Sequence, residues 1–406
     1  MSFLLGCSCF KCSHLTSKGS YNTYGRERKQ QLGREVTEKE ERETANANCP
    51  INNDRNETTN DTTTGTTTTN ELNNKKQSKT KKMEATGHPS SRHTTSSKLS
   101  SFTLDGIAEL ISEQKIAKSS VIVLVGAGMS TAAGVPDFRS PDTGIYANLQ
   151  KYNLPHPEDA FHIDCFKNKP EIFYDLSKAI LPKKLFPTIS HFFIRLLHEK
   201  GYLLRCYSQN VDGLESICGL PKDKVCLAHG SFETGHCLRC NAEYSLAWMQ
   251  SIVESGGIPH CTKTQDCKGL VKPDIKFFGE RLDMKFFRLV KEDFGDKCQL
   301  LIIIGTSLKV MPFARLVQRV PEDCPRLLIN KTRCGHDIPL LFRIFSQGDG
   351  LLYGKSNNKR DVAFIGDCDE GTMQLAKLLH WDEELLKLME TRRRELEQEQ
   401  DPSNDK

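Results

Sequence analysis

The chain has 406 residues, more than one ordinary domain needs, and 27% of them are charged, with a formal net charge of +4. Charge so close to balance does not point to a strongly acidic partner, and a 37% hydrophobic share is low for a globular chain. No apolar run approaches the roughly 20 residues that span a bilayer.

Residues 1–100 account for much of the low hydrophobicity. "NANCPINNDRNETTNDTTTGTTTTNELNNKKQSKTKK" is Asn/Thr-rich and has too little apolar surface to offset chain entropy, so disorder is expected. Residues 1–26 contain no acid and several Ser, Thr and basic residues, a composition that fits a mitochondrial transit peptide as well as a plain flexible tail. The mitochondrial matrix is therefore favoured over cytoplasm or nucleus. Cys7, Cys9 and Cys12 read as incidental to that segment.

Order is expected from Ser101. "FTLDGIAELISEQKIA" sets Leu104, Ile107, Ala108 and Ile111 on one helical face. Strand-like runs follow at 121–125, 203–207, 300–304, 326–330 and 361–366, with helical periodicity between them, as in "SHFFIRLLHEK" and "EGTMQLAKLL". Apolar strands alternating with helices predict an α/β fold, a Rossmann-like doubly wound parallel sheet buried on both faces. Ligands of such sheets bind beyond the carboxyl ends of the strands. Residues 101–390 are read as the catalytic domain and 391–406 as a charged tail.

The first strand runs into "GAGMSTAAGVPDFRS". Gly126 and Gly128 match the start of a dinucleotide fingerprint, but Thr131 stands where its third glycine belongs. The two glycines are expected to bring backbone N–H groups to a pyrophosphate at a helix N-terminus, with Ser130 and Thr131 adding hydroxyls. Arg139 offers a planar cation for phosphate or ribose.

A different texture interrupts the alternation at about 231–272. Cys237 and Cys240 form C-x2-C, and Cys261 and Cys267 form C-x5-C, with twenty residues between the pairs. Four thiolates suit one tetrahedral zinc with no open position, hence a small inserted zinc-binding (four-cysteine) module of structural role. His236 and His260 adjoin the pairs as alternative ligands. Sixteen cysteines without a secretory leader otherwise point to a reduced compartment.

"SQNVDGLE" (208–215), "LAHGSFE" (227–233) and "IGTSL" (304–308), together with the glycine loop and the four cysteines in this order, resemble the sirtuins. The resemblance covers about Ser101 to Glu390 and is nearest the mitochondrial and cytoplasmic class I branch. It implies an NAD-dependent protein-lysine deacetylase, with NAD and one structural zinc as cofactors and acetyl-lysine proteins, histone or not, as substrates. Neither sequence-specific nucleic acid nor membrane is implied as a partner. The acyl-lysine oxygen would attack ribose C1′ as nicotinamide leaves, and the acyl group would end on ADP-ribose. The rivals are a mono-ADP-ribosyltransferase and a weakly active NAD- and zinc-binding chromatin adaptor.

Carried onto this chain, the resemblance makes His229 the general base and Asn210 the residue ordering ribose or water. Ala127, Asp137, Phe138 and Tyr146 join the cofactor loop. Gln209, Val211 and Asp212 lie at the nicotinamide end, with Asp212 holding the carboxamide. Gly305, Thr306, Ser307, Asn330, Lys331 and Cys368 meet phosphate, ribose or adenine. The segment with Lys276, Phe278, Gly279 and Glu280 is one edge of a groove that clamps the substrate as a strand, and "LKVMPF" (308–313) is the other. Lys276 occupies a place that is apolar in the family. A rim position is expected for it, favouring acidic-flanked substrates. After Tyr146 no arginine stands three places on, so neutral acyl groups are expected.

Overall fold

The computed structural model describes residues 97–140, 144–181, 185–336 and 350–399. The transit-peptide reading, the low-complexity stretch and Cys7, Cys9 and Cys12 all lie outside the described residues. Among the described residues no helix is long and apolar enough to cross a membrane.

Nine strands form two sheets among the described residues. β1 (Val121–Val125), β2 (Leu203–Ser208), β3 (Val225–Leu227), β7 (Leu300–Ile304), β8 (Arg326–Asn330) and β9 (Asp361–Ile365) form one six-stranded sheet in the order β3-β2-β1-β7-β8-β9. Every pairing in it is parallel. In β1 and β7 alternate residues enter two different apolar clusters. Val121, Val123, Val125, Ile302 and Ile304 face one, and Ile122, Leu124, Leu301 and Ile303 the other. That explains the unbroken β-branched runs: both faces of the sheet are covered.

Helices Leu104–Ser112, Ile189–Glu199 and Cys368–Leu378 cover the first face. On the β8–β9 rungs Arg326 and Asp361 face each other in register, both fully buried, with Nε to Oδ1 at 2.6 Å and Nη2 to Oδ2 at 2.7 Å. The guanidinium also donates to the carbonyls of Val317 and Gly350, so its charge is fully solvated by protein.

The second sheet is antiparallel, in the order β5-β4-β6, from β4 (Gly230–Cys237), β5 (Glu243–Ser245) and β6 (Val271–Ile275). It carries the cysteine module. Helices Ile163–Asn168 and Pro170–Ile180 pack beside it through a cluster including Phe166, Phe173, Phe232 and Phe277. β3 to β6 escape the sequence reading because they are short or interrupted by polar residues and glycine, with no β-branched run to mark them. The last helix, Asp382–Glu399, continues past the boundary expected at 390. Arg392 Nε donates to the Ile217 carbonyl, which docks that extension onto the domain.

Candidate active site

The chain order reverses between β1 and β7, and a cleft of about 740 Å³ opens beyond their carboxyl ends. This is where a doubly wound sheet binds its ligands. Its volume lies within the range of about 300–1,000 Å³ usual for small-molecule and cofactor sites.

The loop after β1 is built differently from a dehydrogenase's. Instead of one long helix it makes two 3-10 turns, Ala127–Met129 and Thr131–Ala133. The expected helix N-terminus is therefore absent. The Gly126 and Gly128 N–H groups donate to the carbonyls of Ile304 and Gly305, at 3.1 and 2.8 Å, and not into the cleft. A Cβ on Gly126 would meet Thr306 Cβ at 2.7 Å, and one on Gly128 the Gly305 oxygen at 2.9 Å. Both glycines thus serve contact between two loop backbones. Gly305 answers them with φ +62°, where a Cβ would lie 2.2 Å from the Met129 nitrogen. With no helix to bring near the sheet, a third glycine has nothing to do. Thr131 takes its place, and its hydroxyl donates to the Gly128 carbonyl at 3.0 Å.

Ala127, Gly128, Thr131, Asp137, Phe138 and Arg139 line the cleft. Asp137 accepts from the Ser140 N–H (2.8 Å) and hydroxyl (2.5 Å), which closes the loop on itself. Arg139 pairs with Glu158 at 3.5 Å and lies over the Tyr146 ring. Tyr146 and Val211 pack into the aromatic cluster behind the cleft and do not line it. Gly126, Ser130 and Asp212 also lie behind its surface.

At the end of β2, Gln209, Asn210 and His229 come together on the cleft wall. His229 Nδ1 sits 3.0 Å from the Gln209 carbonyl oxygen. A carbonyl only accepts, so Nδ1 carries the proton and Nε2 is left as the basic nitrogen. Burial lowers the His229 pKa, with the Gln209 bond opposing, so the ring is neutral near pH 7. Thr306 donates to Gln209 Oε1 at 2.6 Å and so orients that side-chain amide. Asn210 is buried, its Nδ2 donating to the Gly126 carbonyl and to Ser130 Oγ, each at 3.2 Å.

Gly305, Thr306, Ser307, Asn330, Lys331 and Cys368 line the other half of the cleft. Asn330 Nδ2 is engaged with the Thr332 carbonyl at 2.7 Å and braces the loop after β8. Cys368 opens the helix Cys368–Leu378, capped by Asp367. Burial pushes its thiol up to about 12, so its sulfur is inert. Two further cations line this half: Lys309, which the sequence reading gave to the groove edge 308–313 and not to the cofactor, and Arg333, which it missed. Their signal was available: both follow the carboxyl ends of core strands.

None of Lys276, Phe278, Gly279 and Glu280 lines the cleft. The Phe278 N–H donates to Phe161 O at 2.8 Å and its carbonyl accepts from Ile163 N–H at 2.9 Å. The Phe278 N–H is thus committed within the chain, while its carbonyl keeps a second lone pair. Gly279 turns at φ +90° against His162, and Glu280 binds Lys272 at 3.2 Å. Lys276 does not stand alone at a rim: its Nζ meets Asp283 at 2.6 Å. The expected bias toward acidic-flanked substrates loses its physical basis.

The four cysteines Cys237, Cys240, Cys261 and Cys267 converge, their sulfurs all within 4.8 Å of one another. Cys237–Cys267 and Cys240–Cys261 are 3.7 and 3.5 Å apart. Sulfurs in a disulfide are about 2.05 Å apart. Around a zinc with Zn–S near 2.3 Å they are about 3.8 Å apart. The donor set fits zinc. The Tyr244 hydroxyl donates to Cys261 Sγ at 3.0 Å and draws that thiol down to about 6, favouring the thiolate a metal needs. His236 and His260 are engaged with Asp274 and the Lys268 carbonyl and lie outside the group.

Residues 126–312 match the Sir2 family. The chain is 50% identical over 289 residues to the NAD-dependent protein deacetylase sirtuin-2 of Danio rerio, covering 71% of this chain and 74% of that protein. It is 42% identical over 292 residues to the NAD-dependent protein deacetylase hst2 of Schizosaccharomyces pombe, covering 72% and 81%. With the NAD-dependent protein deacetylase sirtuin-3 of Mus musculus it shares 42% over 296 residues, covering 73% and 82%.

Proposed function

The chain belongs to the Sir2 family, and we infer from that membership and from the cleft that it is an NAD-dependent protein-lysine deacetylase. The observation that carries the inference is His229 on the cleft wall, its Nδ1 proton committed to Gln209 and its Nε2 left as the base. NAD, when bound, supplies the ADP-ribosyl acceptor and gives up nicotinamide.

The chain's own residues divide the remaining work. The loop 126–140 and the segment 305–307 wall the cofactor cleft, with Lys309, Lys331 and Arg333 offering cations to phosphate. Gln209 and Asn210 present oriented amides beside His229. Nε2 of His229 takes a hydroxyl proton at neutral pH, a role contributing about 10²–10⁴-fold. Cys237, Cys240, Cys261 and Cys267 would hold one zinc, which with four thiolate ligands would brace the small sheet and take no part in the reaction.

Acetyl and other neutral acyl groups are the preferred substrates on this reading. No arginine stands three places after Tyr146, and Arg139, which lies over the Tyr146 ring, is paired with Glu158. Mass spectrometry of a reaction with acetyl-peptide and NAD tests the function. O-acetyl-ADP-ribose and free lysine are expected, whereas ADP-ribosylated peptide without O-acetyl-ADP-ribose would sink the reading. The acid-free residues 1–26 support import into mitochondria. Imaging tagged full-length chain beside one lacking residues 1–100 tests that, and identical cytoplasmic signals would exclude it.

A further inference from the structure

Under the cleft floor lies a polar group in which the proposed chemistry gives Glu215 and His191 no part. His191, Asp212 and Glu215 are 1%, 7% and 2% exposed, and one ligand-capable atom from each lies within 4.8 Å of the others. His191 Nε2 and Glu215 Oε2 have no hydrogen-bond partner. The Thr188 backbone N–H points at His191 Nδ1 over 3.2 Å, and an amide N–H only donates. Nδ1 is therefore the acceptor, and the neutral ring carries its proton on Nε2, inside the group. A metal ion there would need that nitrogen's lone pair, so a proton-sharing arrangement fits better.

Two serine arms run from this group to one residue. Glu215 Oε1 accepts from the Ser208 hydroxyl at 2.5 Å, and Ser208 Oγ accepts the Asn210 backbone N–H at 2.9 Å. On the other side Asn210 Nδ2 donates to Ser130 Oγ at 3.2 Å, and the Ser130 hydroxyl opposes the rise that burial imposes on the Asp212 pKa. Asn210 is held by its main chain and its side chain at once.

We propose that Glu215 is a positioning residue for Asn210, acting through Ser208 on its main-chain N–H while Ser130 holds its side-chain amide, so that the residue is fixed at the cleft floor from both sides. Burial, and then the charge of Asp212, push the Glu215 carboxyl up to about 8, so it works as the neutral acid. The titratable groups facing it are Asp212 and His191, with Cys206 on β2 and Cys218 at the end of the short helix Leu214–Ile217. None of these is a cation near neutrality, because burial holds His191 down at about 3. The catalytic consequence rests on the deacetylase reading of the cleft. The positioning itself does not.

Wild type, Glu215→Gln and Glu215→Ala are compared by backbone hydrogen exchange at Asn210 and by steady-state kinetics. In Glu215→Ala the Asn210 amide should exchange about tenfold faster or more, while amides of β1 are unchanged. Its kcat should fall by about tenfold or more with KM for NAD within about threefold. Glu215→Gln keeps the Ser208 bond and should restore both to within about threefold of wild type. Wild type should lose kcat as pH rises past about 8, where Glu215 ionises beside Asp212, and Glu215→Gln should not. Should Glu215→Ala not fold, Ser208→Ala removes the same arm and must give the same exchange and kcat changes. Unchanged Asn210 protection in the arm-deleted variant overturns the positioning, as does a Glu215→Gln as impaired as Glu215→Ala. A wild type inactive on acetyl-peptide would fault the deacetylase reading alone, since the exchange result still decides the positioning.

Discussion

The Lys276 N–H donates to the His229 carbonyl across 2.8 Å, so the segment beyond β6 is registered directly on the residue read as the base. The Lys276 side chain meanwhile pairs with the more exposed Asp283 at 2.6 Å. Backbone placement and side-chain charge are thus separable at one position.

That separation gives the first prediction. With its charge matched by Asp283, Lys276→Val should leave the ratio of kcat/KM on acidic-flanked and neutral acetyl-peptides within about twofold of wild type. Asp283→Asn unmasks the ammonium and should raise that ratio by about two- to fivefold at low salt, the gain vanishing at high salt. The measurement is kcat/KM on matched peptides at two ionic strengths. A strong shift from Lys276→Val alone would mean that Asp283 does not neutralise it.

His229 sets the pH profile. Its folded pKa lies below the ordinary histidine value of 6.5, chiefly through burial. Activity needs the neutral ring, so the acid limb of kcat/KM should fall below that value, with a flat response from there upward until another group titrates. His229→Ala should lose at least about 10²-fold in turnover while retaining NAD binding and thermal stability. A pH–rate series on a neutral peptide, beside calorimetric NAD titration, checks both. An acid limb above the ordinary histidine value would contradict the buried, neutral ring.

The glycine loop makes a prediction against the dinucleotide fingerprint. Gly128→Ala and Gly305→Ala force a Cβ into opposing backbone, and each should cost about 2 kcal/mol or more in a denaturant titration. Thr131→Gly restores the fingerprint's third glycine, yet should leave NAD affinity within about twofold because no long helix packs there. A marked gain in affinity from Thr131→Gly would mean that the loop re-forms as a dehydrogenase-type helix.

For the cysteine module, elemental analysis should find one zinc per chain. Cys267→Ser should lose the metal and fold poorly, because structural zinc binding is itself folding free energy. Tyr244→Phe removes the bond to Cys261 together with the acceptor for the Thr262 and Lys263 N–H groups, and should keep zinc but yield it to a chelator about tenfold faster. Zinc retained in Cys267→Ser would require a different fourth ligand.

Sequence by itself determined the sheet and the chemistry-bearing residue types. Strands buried on both faces must be continuously apolar, which is why β1, β7, β8 and β9 are legible within a residue, and C-x2-C spacing is a local property of a metal turn. Strands β3 to β6 were not legible, because β3 and β5 have three residues each and β4 and β6 carry glycine, proline or polar residues where a core strand has an apolar run. Tertiary structure alone decided which way each site residue faces. It turned the Gly126 and Gly128 N–H groups toward the 304–305 carbonyls and matched Lys276 with Asp283, seven residues on. It also put Tyr146 and Val211 behind the cleft and brought Lys309 and Arg333 into it. Motifs name residues that must meet a ligand or one another. Hydrogen-bond partners and burial are set by the other side of the contact, which for Asn210 means Ser130 and Gly126, some eighty residues away along the chain.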